Sequence, residues 1–144
     1  MGGAATGPTA DTAVKFVLDT HVLLWWFERD SLPAAYRRIM RRATATQPLW
    51  VSDITLWEIA TLLTLGRIRL SLPLRDWLDR ATAAPLVMRH GISPAVAAEV
   101  ASLPSTFHRD PADRIIVATT RVLGATLLTA DQRIVTSGLV PTVS

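Results

Sequence analysis

The sequence predicts an α/β fold, three layers deep, with helices on both sides of a central parallel sheet, and three features predict it. Phe16-Val17-Leu18 is a short apolar, β-favouring run that passes straight into Asp19 and then into a helix-like stretch, Val22-Leu23-Leu24-Trp25-Trp26-Phe27. Ala125-Thr126-Leu127-Leu128-Thr129 repeats the device, with Asp131 just beyond it. Between the two, strand-like and helix-like segments alternate, as they do when βα units build an α/β/α sandwich. Two such strands running parallel would bring Asp19 and Asp131 together at their C-terminal tips, where ligands bind in open α/β sheets.

A chain of 144 residues fits one domain, which at this size buries about two-thirds of its unfolded surface. The absence of cysteine excludes a disulfide framework, a thiol nucleophile and a Cys-ligated metal. The longest uncharged run, Ile134 to Ser144, falls short of the ~20 apolar residues of a membrane span, and no basic region followed by an apolar core opens the sequence. A soluble, cytoplasmic protein with no membrane partner is expected. Residues 1–14, with Gly-Gly, Gly-Pro and few large apolar side chains, are expected to be a disordered N-terminal extension, and 15–144 the folded domain. The net charge of +3 hides an asymmetry, because setting four acids aside for one site leaves 8 against 15 basic residues, a remainder of +7. All the basic residues but Lys15 are arginine, the side chain that pairs bidentately with phosphate.

Asp30-Ser31-Leu32-Pro33 supplies cap and turn chemistry for a helix over Ala34 to Ala45. Its Arg37-Arg38 and Arg41-Arg42 pairs recur at helical spacing, so four guanidinium groups share a face that is either solvated or set against phosphate. Pro48-Leu49-Trp50-Val51 reads as a strand, and Ser52 caps a helix that runs to Leu65 and stops at Gly66, with Asp53 in its first turn. A link to Leu72 leads to a helix over Pro73 to Ala83 with Trp77 and Leu78 inward. Pro85-Leu86-Val87-Met88 reads as a third strand, and Pro94 to Leu103 as an Ala-rich helix capped by Ser93. Trp25, Trp26, Trp57 and Trp77 are expected in the core, although Trp25 and Trp26 cannot both face inward from one helix. Trp25, Trp26, Leu62 and Leu63 exceed what one inward stripe needs, so a partner peptide, neighbouring helices or a second copy covers them. His21, His90 and His108 are not at metal-ligand spacings and read as hydrogen-bonded structural or surface residues.

His108-Arg109-Asp110-Pro111-Ala112-Asp113-Arg114 introduces a helix through Leu123 that Gly124 stops. Pro111 suits the first helical position, which makes Asp110 the N-cap and puts Asp113 third. Glu58 has Ile54, Thr55, Thr61 and Leu62 one turn away and no base to pair with, so it faces either water or something positive that the sequence does not show. Asp19, Glu58, Asp113 and Asp131 are thus four hard oxygen donors on four elements, and packed together they would repel one another strongly. A divalent cation, Mg²⁺ or Mn²⁺, removes the conflict and engages phosphate, pointing to metal-assisted attack of water on a phosphodiester.

The stretches Phe16 to Trp25, Ser52-Asp53-Ile54-Thr55-Leu56-Trp57-Glu58-Ile59-Ala60, His108 to Thr119 and Leu128-Thr129-Ala130-Asp131 resemble the PIN domain, and within it the VapC-like toxins of type II toxin-antitoxin pairs. The resemblance spans nearly everything from Lys15 onward; each motif alone is weak, but four in this order are specific. It implies a PIN-like three-layer fold and an endoribonuclease dependent on Mg²⁺ or Mn²⁺. An RNA substrate, a homodimer and a cognate antitoxin protein encoded beside it are also implied. Carried over by motif, Asp19, Glu58, Asp113 and Asp131 are the catalytic and metal-binding acids, with Thr20, Thr129 and Asp110 in support. The long N-terminal extension departs from the pattern. A phosphoaspartate phosphatase or receiver would also gather acids around magnesium, but it looks for a lysine near the phosphoryl group, and Lys15 precedes the first strand. A catalytically weak RNA-binding or regulatory PIN module is the other alternative, and the presence of all four acids argues against it.

Overall fold

The structure, a computed structural model, describes residues 13–143. All but the last two residues of the expected 1–14 extension lie outside the described residues. Five strands, β1 (Phe16–Leu18), β2 (Leu49–Ser52), β3 (Val87–His90), β4 (Thr126–Leu128) and β5 (Thr142–Val143), form one all-parallel sheet in the order β3-β2-β1-β4-β5. Around it run α1 (Thr20–Phe27), α2 (Ala34–Arg41), α3 (Asp53–Thr64), α4 (Leu74–Ala81), α5 (Pro94–Ser102), α6 (Pro111–Leu123) and α7 (Gln132–Ser137).

The strand alternation splits the core into the two halves a three-layer fold requires. Leu18, Leu49, Val51 and Leu128 face one side, where they meet Val22 and Leu23 of α1, Tyr36 and Met40 of α2, Ile59 of α3 and Trp77 of α4. Val17 and Leu127 face the other, against Ile116 and Val117 of α6 and Ile134 of α7, with Trp50 packed beside them. The register pairs Val17 with both Trp50 and Leu127, so each layer is continuous across the sheet centre. Helix boundaries follow the local chemistry. Ser52 caps α3 by accepting from the Ile54 N–H at 3.2 Å, Ser93 caps α5, and Gly124 ends α6 at φ 62°, in the left-handed region that glycine adopts without a Cβ clash.

The structure departs from the sequence reading at the edges. The third strand lies two residues later than Pro85–Met88, because its ladder with β2 runs from Leu49↔Val87 to Ser52↔His90 and Pro85 has no N–H to give it. Only Val87 of that edge strand is buried, so Arg89 and His90 broke the apolar run without ending the strand. α2 stops at Arg41 rather than Ala45, since Thr44 and Gln47 bond each other's backbone across a turn instead of continuing the helix. Trp57 is not in the core: Thr55 and Ile59 fill the inward face of α3, and Trp57 stands 55% exposed opposite them. Trp25 and Trp26 are both half-buried at the margin of the core, and Trp77 is fully buried with its indole N–H donated to Glu28 at 2.6 Å. No helix among the described residues is long and apolar enough to cross a membrane.

Candidate active site

From β1 the chain steps outward to β2 and β3, then returns past β1 to add β4 and β5. The order therefore reverses between β1 and β4, and their C-terminal tips flank the crevice at which open α/β sheets bind ligands. Asp19 leaves β1 there and serves as N-cap of α1, its Oδ1 accepting from the Thr20 N–H at 2.8 Å. Thr129 and Asp131 leave β4. The Thr129 hydroxyl donates to Asp19 Oδ2 at 2.6 Å, and the Asp131 N–H donates back to that hydroxyl oxygen at 3.0 Å. Tyr36 reaches in from α2 to donate its hydroxyl to the Thr129 carbonyl at 2.8 Å, which steadies the same loop.

The other two acids arrive from the helices that meet over this end of the sheet. Glu58 projects from α3 and accepts from the Thr20 hydroxyl, itself 3.0 Å from that of Thr55. Asp113 lies in the first turn of α6, which Asp110 caps by accepting from the Asp113 N–H at 3.1 Å. His108 Nε2 lies 2.6 Å from Asp113 Oδ2, and Arg133 Nη2 lies 3.5 Å from the same oxygen. Arg133 also grips both oxygens of Asp131, Nε to Oδ1 at 3.2 Å and Nη2 to Oδ2 at 2.9 Å. A cleft of about 400 Å³ is lined by Asp19, Glu58, Asp110, Asp113, Asp131 and Arg133.

Burial and mutual repulsion dominate the electrostatics. Burial drives the Asp19 carboxyl above its ordinary range against the pull of hydrogen bonds from Thr129 and Thr20. Glu58 is pushed up to about 7 by burial and by the charges of Asp19, Asp113 and Asp110, with the Thr20 hydroxyl opposing. Asp113 is pushed up to about 6, again by burial first, with the His108 contact opposing and the neighbouring carboxylates adding. Asp131 goes the other way, held below its ordinary value by its hydrogen bond from Arg133. The cluster thus holds more negative charge than Arg133 offsets, on hard oxygen donors. One oxygen each from Glu58, Asp110 and Asp113 lie within 4.8 Å of one another, as do donor atoms of His108, Asp113 and Asp131. Such a donor set fits a divalent cation of the magnesium or manganese type.

All seven residues singled out in the sequence come to this end of the sheet. Three contacts at the site have little or no signal in the sequence. Asp131 is also an N-cap, accepting from the Arg133 N–H at 2.9 Å to start α7, and an acid two residues ahead of a basic one at a strand exit is the signal that could have shown it. Arg133 carries no local signal of a site role, and His108, expected to be structural or at the surface, sits against the acid cluster; both touch Asp113 from outside its helix. Asp110 caps as expected, but its carboxylate also borders Glu58 and Asp113, so it belongs to the cluster as well as to the helix.

The PIN domain family model matches residues 16–136. The chain is 40% identical over 119 residues to ribonuclease VapC22 of Mycobacterium tuberculosis, covering 82% of this chain and 88% of that protein. Its fold is similar to that in VapBC2 from Rickettsia felis, solved bound to a DNA fragment from its promoter, with TM-score 0.67, 14% identity, and 90% and 98% of the two chains covered. It is also similar to a chain of a toxin-antitoxin complex from Klebsiella pneumoniae, with TM-score 0.62, 17% identity, and 90% and 97% covered.

Proposed function

The chain belongs to the PIN-domain family, and from that premise we propose that it is a metal-dependent endoribonuclease, the toxin of a type II toxin-antitoxin pair. The observation that carries the reading is the convergence of Asp19, Glu58, Asp113 and Asp131 from four elements on one cleft, where Glu58 and Asp113 are driven up to about 7 and about 6. These four acids hold Mg²⁺ or Mn²⁺, with Asp110 at the margin. Such a cation would supply polarisation of a phosphoryl oxygen and acidification of the attacking water; the hydrolysis would form a bond from the water oxygen to phosphorus, break the bond from phosphorus to the leaving ribose oxygen, and pass the water's proton to that oxygen.

The chain's own hydrogen bonds decide where the oxygens point. Thr129 fixes Asp19, Thr20 ties Glu58 to the start of α1, and the His108 contact fixes Oδ2 of Asp113. The similarity to a chain of a toxin-antitoxin complex and to a ribonuclease supports a cognate antitoxin and an RNA substrate. We further propose that the protein acts in the cytoplasm, as a homodimer.

The test is cleavage of single-stranded and structured RNA by the purified chain. EDTA should abolish cleavage, and Mg²⁺ or Mn²⁺ should restore it; Asp19→Asn should fold and remain inactive with either ion. Cleavage that survives exhaustive chelation would overturn the mechanism.

A further inference from the structure

The cleft does not account for the densest run of positive charge. Between Asp30 and Asp53 the sequence has no acidic residue, yet Arg37, Arg38, Arg41 and Arg42 all fall there, on α2 and its C-terminal cap. All four are exposed, and among the described residues none forms an ion pair. Their three- and four-residue spacings stack them on the outer face, away from buried Tyr36 and Met40. The helix dipole explains cations near the C-terminus, such as Arg41 and Arg42. It does not explain Arg37, which turns back toward the N-terminus, its Nη1 donating to the Leu32 carbonyl at 2.6 Å, where the dipole disfavours positive charge.

The position of this face matters as much as its charge. Tyr36, next to Arg37, is the side chain that reaches the Thr129 carbonyl, two residues before Asp131. This fastens the inward face of α2, near its start, to the loop that carries part of the acid cluster, while its other end, at Arg42, borders the starts of β1 and β2 beside Phe16 and Leu49, so the arginine face runs from the far end of the sheet toward the cleft. The helix exposes no large apolar side chain, which a protein-binding face would be expected to have at its centre.

We propose that the outer face of α2 is a track for the phosphate backbone of single-stranded RNA, leading the strand to the cleft. The proposal rests on the ribonuclease reading above. Guanidinium groups match phosphate oxygens bidentately, and residues four apart are offset by about 6 Å along a helix, so the pairs address successive positions of an extended backbone. The contacts carry no base preference; they set where the strand enters.

The experiment measures binding of a short labelled single-stranded RNA to the full chain in EDTA over a series of salt concentrations, with cleavage in Mn²⁺ measured separately. Replacing Arg37, Arg38, Arg41 and Arg42 by Gln should lower the slope of log affinity against log salt by about 3, at about 0.7 per phosphate contact, and weaken binding roughly tenfold or more at low salt. The same four changed to Lys should keep the slope. Replacing Arg69, Arg75, Arg80 and Arg89 by Gln removes equal charge elsewhere and should leave most of it. Melting temperatures identify any variant that has not folded, and the half-sets Arg37→Gln with Arg38→Gln and Arg41→Gln with Arg42→Gln, each expected to lower the slope by about 1.4, then carry the comparison with the control set. An unchanged slope in the α2 Gln variant, or an equal loss in the control, overturns the track, and metal-dependent cleavage by the wild type then leaves the ribonuclease reading standing. Loss of binding to the adjacent gene's product with RNA binding intact would make α2 a protein-docking face and overturn it as well. A wild type that neither binds nor cleaves RNA overturns both.

Discussion

Glu58→Gln is expected to stabilise the metal-free protein at neutral pH while destroying its response to metal. In the folded chain Glu58 titrates at about 7 against an ordinary value of 4.5. Between those values the folded state holds a proton that the unfolded state has lost, so stability is greatest below the ordinary value and declines as pH rises through about 7. At about 1.4 kcal/mol per pH unit the shift corresponds to about 3 kcal/mol, and because the side chain is only partly buried at the mouth of a cleft, solvent screening reduces this to about 2 kcal/mol. For a domain of this size that is roughly 5–10 °C in melting temperature. Gln keeps the oxygen that accepts from Thr20 but carries no charge. Thermal unfolding in EDTA should therefore find the variant roughly 5–10 °C above wild type at about pH 8 and level with it at about pH 4. The dependence that remains belongs to Asp113, raised to about 6, and to Asp19, which burial also raises. Added Mn²⁺ should raise the melting point of the wild type and scarcely move the variant. A metal-free wild type that gains stability from about pH 5 to pH 8 would refute the reasoning.

The two acids at the start of α6 should separate on substitution. Asp110→Asn keeps a capping oxygen and should melt close to wild type with much of its cleavage intact, whereas Asp113→Asn should fold and lose metal-dependent cleavage; the reverse pattern would exchange their roles. His108→Ala should weaken Mn²⁺ binding, read by calorimetry, by about 10–100-fold, as loss of a group that orients a metal ligand does. His108→Gln, which can still donate to Asp113, should recover part of that affinity. Trp77→Phe removes the indole N–H that Glu28 accepts and should cost about 2 kcal/mol in urea unfolding, the order expected for a hydrogen bond to a charged group; an unchanged midpoint would show that Ser71, which also donates to Glu28, suffices alone.

Much of the architecture was legible because its signals are local. Phe16-Val17-Leu18 followed by Asp19, Ser52 before a helical run, Asp110-Pro111 before another and Gly124 after it are decided by backbone chemistry within a few residues, and each appears where the sequence placed it. Asp19, Asp113 and Asp131 were legible as types in positions, since a strand tip or a helix start is itself a local feature, whereas Glu58, inside α3, showed only as an acid with no base one turn away. What required the tertiary structure was every property that depends on a partner from elsewhere. The register of β3 and the two residues of β5 exist through pairing with β2 and β4, not through their own weak apolar runs. Trp57 and Trp77 have similar local surroundings, and only packing sends one outward and the other into the core. The contacts of His108 and Arg133 with Asp113 join separate segments, and the rise of Glu58 to about 7 comes first from its burial and then from the acids of other elements. A sequence records which groups can ionise; how much each resists ionising depends on the water it has lost and the charges it has gained, and folding decides both.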